Sequence, residues 1–103
     1  MIDSNETVLH YEIIQEKAQA LGRVAREVQA ALEALLRHEN DGSGKSMARR
    51  EELLATAAER VHYFQIQREL CGFRDWPDVI EFYQIPPEVV KRAGSCRKAN
   101  PAE

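Results

Sequence analysis

The segment Gly42-Ser43-Gly44-Lys45-Ser46 ends in the Gly-Lys-Ser triplet with which phosphate-binding loops close. Such a loop needs Gly-x-x-x-x-Gly-Lys-Ser between a strand and a helix, because its backbone N–H groups must cradle the phosphates. Here Glu39 stands where the first glycine belongs, and a carboxylate at that place repels phosphate. The preceding pattern is helical, so we interpret the segment as a flexible turn between helices and predict no nucleotide site.

A Glu-x-x-His step, Glu59 and His62, is the second pattern whose residue types could take part in chemistry. In helical bundles, two such steps and two further glutamates hold a di-iron centre when all of them point inward. A dimer could supply the second step. However, Val61 and Phe64 take the core-facing positions, which leaves Glu59 and His62 nearer the edge. We interpret the pair as surface neighbours and keep a metal-binding bundle as an alternative.

Residues 75–93 follow the plan of a helix-turn-helix unit, with a short helix, a tight turn and a second short helix. Lys91 and Arg92 make the end of this segment basic. Against DNA binding, Pro86-Pro87-Glu88 would open the second helix without N–H donors and with an acid that repels phosphate. We therefore predict a helical cap here, and keep a nucleic-acid-binding regulator as the first alternative.

The two cysteines, Cys71 and Cys96, are too few for a disulfide framework. Residues 1–6 have neither the basic nor the apolar region of a secretory signal, so we expect a cytoplasmic protein with free thiols. No Cys/His spacing suits zinc, and no nucleophile-elbow motif is present. The sequence therefore predicts no catalytic, cofactor-binding or metal-binding residues, and a protein that is not an enzyme.

The spacing of apolar residues over about 5–38 predicts one long helix. Its stripe repeats in steps of four and three and consists of Tyr11, Ile14, Ala18, Leu21, Ala25, Val28, Leu32 and Leu35. Four further residues widen the stripe: Ile13, Val24, Ala31 and Leu36. A widened stripe is typical of a bundle helix that faces more than one neighbour.

A polar connection over 38–46 separates this helix from a second one, predicted at about 47–71. Ser46 suits its N-cap, and Gly72 stands where a terminating glycine belongs. Because the connection is short, we expect the two helices to be antiparallel neighbours.

Two short helices are predicted after them, at about 76–84 and 87–93. Asp75 is expected to cap the first of these with its side chain, and Gly94 to terminate the second. The whole pattern predicts an all-α fold: a long antiparallel hairpin with two short helices packed at one end.

The chain has 103 residues, of which 44% are hydrophobic and 30% charged, with a formal net charge of −3. A chain of this size can bury about 65% of its unfolded surface, which suits one core and hence a single domain over 1–103. We expect residues 1–4 and 95–103 to be frayed. The acidic balance argues against nucleic acid, and no apolar run approaches a membrane span.

Two runs in the second half resemble a family of small helical bacterial proteins known only as a domain of unknown function. They are Gln67-Arg-Glu-Leu-Cys-Gly-Phe-Arg-Asp75 and Val79-Ile-Glu-Phe-Tyr-Gln-Ile-Pro-Pro-Glu-Val89. The first half matches only as an amphipathic helix around Tyr11-Glu-Ile-Ile-Gln-Glu16. The resemblance implies a compact all-α fold in a bacterial cytoplasm, and it brings no activity, cofactor or catalytic residue.

The first predicted helix is several turns longer than the second. The apolar residues of its N-terminal part, from Val8 to Ile14, therefore have no partner in the hairpin. We expect the short helices, with Trp76 and Ile80, to pack there. The off-seam residues Val24, Ala31 and Leu36 would then be left to a second copy, which favours a homodimer over a monomer. The competing outcome is that the two short helices fold back along the first helix and cover this strip within one chain. The leading functional interpretation is an interaction or assembly module that binds a protein partner not identified by the sequence.

Overall fold

The computed structural model describes residues 4–41 and 46–98, with side chains described for 7–41 and 46–95. Within these residues the chain forms four α-helices and no strand: α1 (Ser4–Asn40), α2 (Met47–Leu70), α3 (Trp76–Tyr83) and α4 (Pro87–Lys98). The prediction of an all-α fold, with a long hairpin followed by two short helices, is confirmed.

α1 and α2 pack side by side and run in opposite directions. Glu27 pairs with Arg60 and Glu39 with Arg50, so residue numbers rise along one helix as they fall along the other. Between the helices lies a buried cluster to which α1 contributes Val28 and Leu35 and α2 contributes Leu54, Ala57, Ala58, Val61 and Phe64. The two alanines leave little side-chain volume between the backbones, which favours close approach.

Both ends of α2 follow local sequence rules. The Ser46 side chain accepts a hydrogen bond from the backbone N–H of Arg49 at 3.2 Å, which satisfies one N–H of the first turn. At the other end, Gly72 has a φ of 90°, which favours glycine. The N–H of Phe73 then donates to the carbonyl of Arg68 at 3.0 Å and closes the turn.

The capping of α3 differs from the prediction. Asp75 does lie at the N-cap position, but its side chain makes no cap hydrogen bond. It accepts instead from Nη2 of Arg68, at 2.7 Å. A hydrogen bond between two charged groups is stronger than one to a neutral backbone N–H, so the carboxylate turns towards the guanidinium.

α4 is longer than predicted, because Gly94 does not terminate it and the helix continues to Lys98. The backbone of Gly94 has no positive φ, so it makes no left-handed cap. Ser95 donates a hydrogen bond to the carbonyl of Lys91 one turn earlier, as a residue inside a helix can. Residues 99–103 lie outside the part of the chain that the structure describes, as do residues 1–3.

The short helices pack along α2, between Phe64 and Arg50, and leave the N-terminal part of α1 without the predicted cover. Phe64 of α2 meets the rings of Trp76 and Tyr83 edge-on, with ring centres 6.0 and 5.7 Å apart. From there the chain turns back, and Val89 of α4 is fully buried in the cluster. The expected cover of Val8–Ile14 is therefore wrong, because the aromatic contacts with Phe64 hold α3 against α2 and these residues of α1 stay exposed.

The exchange of Phe64 for alanine tests the importance of this junction. The ring is 1% exposed and contacts two aromatic rings, so Phe64→Ala should reduce the free energy of unfolding by about 3–5 kcal/mol. Urea unfolding followed by circular dichroism measures this change. Phe82→Ala is the matched control, because Phe82 is 77% exposed and its loss should cost less than about 1 kcal/mol. Equal losses would contradict this account of the core.

Candidate functional site

The most distinctive surface is the N-terminal segment of α1, defined here as residues 7–18. Every residue in it is exposed. Five large apolar side chains in it are between 51% and 71% exposed: Val8, Leu9, Tyr11, Ile13 and Ile14. Such a concentration of exposed apolar residues is typical of an interaction surface.

This exposure follows from the unequal lengths of the two long helices. α1 has 37 residues and α2 has 24, which correspond to about 55 and 36 Å. The stripe of α1 that is covered at Leu35, Val28 and Leu21 continues to Ile14 and Tyr11 at the same helical spacing. α2 ends at Leu70, so the same stripe loses its cover there and faces solvent.

A groove of about 420 Å³ lies where α2 ends against α1, and we call it the terminal groove. Its lining is mostly apolar and consists of Ile14, Lys17, Ala18, Leu21, Arg68, Cys71 and Phe73. The groove therefore adjoins the N-terminal segment, with which it shares three residues.

Arg68 forms the polar wall of the terminal groove and is already engaged. Its guanidinium carbon lies 4.7 Å from the ring centre of Phe73 and 5.7 Å from that of Phe64, which are cation–π distances. It also pairs with Asp75, and this hydrogen bond holds the pKa of that carboxyl below its usual value. Cys71 beside it is a half-buried free thiol.

A second, smaller apolar patch lies near the other end of the hairpin. Leu36 of α1 is 60% exposed, and together with Phe82 it borders a groove of about 390 Å³. The off-seam residues Val24 and Ala31, by contrast, are half-buried and pack against the core. The expectation that they form an uncovered strip with Leu36 is therefore wrong, because these two residues are covered within the chain.

The residues predicted for metal and phosphate chemistry are not brought together. Glu59 is exposed and His62 half-buried on α2. Among the residues that the structure describes, no three His, Cys, Asp or Glu side chains group so that they could hold a metal ion. Gly42–Lys45 lies outside the described residues, and Ser46 serves as the cap of α2.

Segment 75–93 has the outline of a helix-turn-helix unit, but α4 uses its apolar side for packing. Val89 and Ala93 are buried, and α4 lies against α2. Its charged side chains face α2 as well, since Arg92 pairs with Glu51 and Glu88 with Arg50. These contacts hold α4 on the hairpin.

Arg50 is the electrostatic centre of this junction, because it joins three helices. Its guanidinium donates hydrogen bonds to Glu39 of α1 and to Glu88 of α4, the latter at 2.7 Å. The two carboxylates raise the pKa of Arg50, while Arg50 holds the pKa of Glu88 below its usual value. Arg92 likewise lowers the pKa of Glu51 by hydrogen bonding to it.

The molecule as a whole has more surface than a folded chain of its mass normally has. Its accessible surface is 7808 Å², against about 5,900 Å² for a typical monomer of 11.8 kDa. Its extents of 66 × 31 × 20 Å show the elongation that produces this difference.

Within the described residues, none of the helices combines the length and the apolar character needed to cross a membrane.

Comparison with known proteins gives one family and no individual relative. A family model described as "Family of unknown function (DUF6665)" matches residues 2–101. Neither the curated proteins nor the solved structures contain a significant match.

The ionic junction predicts a pH dependence of stability. Because the pKa of Glu88 is lower in the folded chain than in the unfolded chain, its pairing stabilises the fold above the unfolded value and is lost as the pH falls through the folded value. We expect the urea midpoint to drop between about pH 5 and pH 3, and to drop less in Arg50→Gln.

Urea titrations at both pH values, followed by circular dichroism, measure this difference. Arg49→Gln is the control, because Arg49 pairs with Glu52 of its own helix and joins no other element. An Arg50→Gln variant that loses as much stability on acidification as the control would show that the junction does not govern the pH dependence.

Proposed function

Because the chain belongs to this family of unknown function, whose description names no activity, we propose its role from its geometry: a small interaction or assembly module without catalysis. Its interaction surface is the exposed apolar side of α1, and its first partner is a second copy of the chain, giving a homodimer. We place it in a bacterial cytoplasm, where the free thiol of Cys71 stays reduced.

The observation that carries this proposal is the exposed N-terminal segment. Five large apolar side chains that are each more than half exposed lower the solubility of a monomer, and their burial would drive association. Two of these residues, Tyr11 and Ile14, belong to the stripe that packs on α2 further along α1. A second helix is therefore the partner for which its spacing is suited.

The polar groups of the grooves support binding over catalysis. Catalysis needs polar groups that converge on a reacting atom in a concave site. In the terminal groove, Arg68 stacks on Phe73 and pairs with Asp75, so its charge is used to hold the loop after α2. The surface that the groove presents to a partner is therefore mainly apolar.

The oligomeric state and its response to a charge test this function. The chain has a mass of 11.8 kDa, so light scattering behind a sizing column should give about twice that value at high micromolar concentration. Ile14→Glu should bring the mass down to that of one chain, because it places a carboxylate in the exposed stripe.

Gln19→Glu is the matched control, because it adds the same charge on an exposed side of α1 where its helical neighbours are Glu16 and Arg23. Leu36→Glu provides the comparison at the other patch. A wild-type mass near 12 kDa would refute the homodimer. A dimer that survives Ile14→Glu and is lost in Leu36→Glu would move the interface away from the N-terminal segment.

A further inference from the structure

We infer that two copies pair through their N-terminal segments, antiparallel about a two-fold axis near His10 and Tyr11, with the start of each α1 seated in the terminal groove of the other copy. This arrangement rests on the homodimer proposed above and specifies which surfaces meet. Each α1 then takes the place that α2 leaves vacant in the other copy.

The direction of pairing follows from the hairpin. α2 runs antiparallel to α1 and ends at Leu70, level with the region of Lys17 that lines the terminal groove. A helix that continues α2 beyond this point must also run antiparallel to α1. The α1 of a second copy satisfies this when its first turn, at Ser4, lies at the groove and its Lys17 lies beside Ser4 of the first copy.

The arrangement is self-complementary, which singles out a second copy as the occupant. The part of α1 that extends beyond α2, from Ser4 to Lys17, is about 21 Å long. When one copy's segment fills the vacant position, the two-fold axis makes the other copy's segment fill the equivalent position at the same time. Both apolar stripes and both grooves are covered by one contact surface, as an isologous interface requires.

The chemistry of the paired surfaces agrees with this placement. Tyr11, Ile14 and Ala18 share the stripe that meets α2 further along the chain. Glu12, the acidic residue between them, is two positions from Ile14 and so lies on the opposite side of the helix. Val8 lies beside this stripe, one turn before Tyr11, and with the axis near Tyr11 it meets Ile14 of the other copy at the edge of the groove, so the contact is apolar there on both sides.

Cys71 provides a native probe for the arrangement, because it lines the terminal groove. In a Cys96→Ser background, Thr7→Cys places a second thiol near the start of α1. Within one chain these two thiols cannot meet, since residue 7 lies ten residues, or about 15 Å, along α1 from Lys17 at the groove. Between copies, the antiparallel pairing brings them together.

The experiment treats the full-length variant with a short bis-maleimide at a concentration where light scattering reports a dimer. We expect a covalent dimer on a denaturing gel, and peptide mapping that links residue 7 of one chain to residue 71 of the other. Glu12→Cys in the same background is the matched control, because it lies in the same exposed segment on the opposite side of the helix. It should give at least several-fold less product.

The outcomes separate this inference from the function it rests on. A monomeric mass before cross-linking would overturn the homodimer and this arrangement together. A dimer by scattering in which the only link joins residue 7 to residue 7 would show parallel segments and overturn the arrangement alone. A dimer without any link, or with equal links from both variants, would place the interface elsewhere and also overturn it.

Discussion

The unequal length of the two long helices is the constraint on which the surface of this protein depends. α1 has 37 residues and α2 has 24, and both belong to one apolar seam. Beyond the end of α2, the apolar stripe on α1 either packs against another element or is exposed to water. The short helices could have supplied that cover, but they pack along α2, between Phe64 and Arg50. The exposed N-terminal segment and the terminal groove are the direct result.

Two contacts determine where the short helices go. The Phe64 ring holds Trp76 and Tyr83 against the last third of α2, and Arg50 ties Glu88 to the place where α1 ends. The first contact supplies buried apolar area and the second an orientation for α4. Together they fold the chain back towards its own connecting segment. Val24 and Ala31 are half-buried against the same core.

Local structure could be predicted from the sequence because local rules govern it. Ser46 and Gly72 act as expected, since a cap and a left-handed turn depend only on neighbouring residues. Asp75 and Gly94 depart from expectation for different reasons. The first meets Arg68, a partner seven residues away, and the second lies in a helix that continues past it.

The candidate site could be predicted only in part. The length of the N-terminal segment follows from the helix pattern, whereas its exposure depends on the tertiary contacts of Phe64, which no periodicity shows. The sequence does not predict the terminal groove. Arg68 and Phe73 belong to the run 67–75, which resembles the family. Nothing in their spacing indicates that they line a groove with Ile14.

The exposed N-terminal segment also has a consequence for the folding of a monomer. Its 12 residues, 7–18, are all exposed, and a helix of this length is close to the shortest that is stable in water, so in a single molecule we expect its turns to open and close. Burial against a neighbour would hold those turns closed. Order at the start of the chain and association would then be one coupled equilibrium, and the helical content of a dilute solution would rise with concentration.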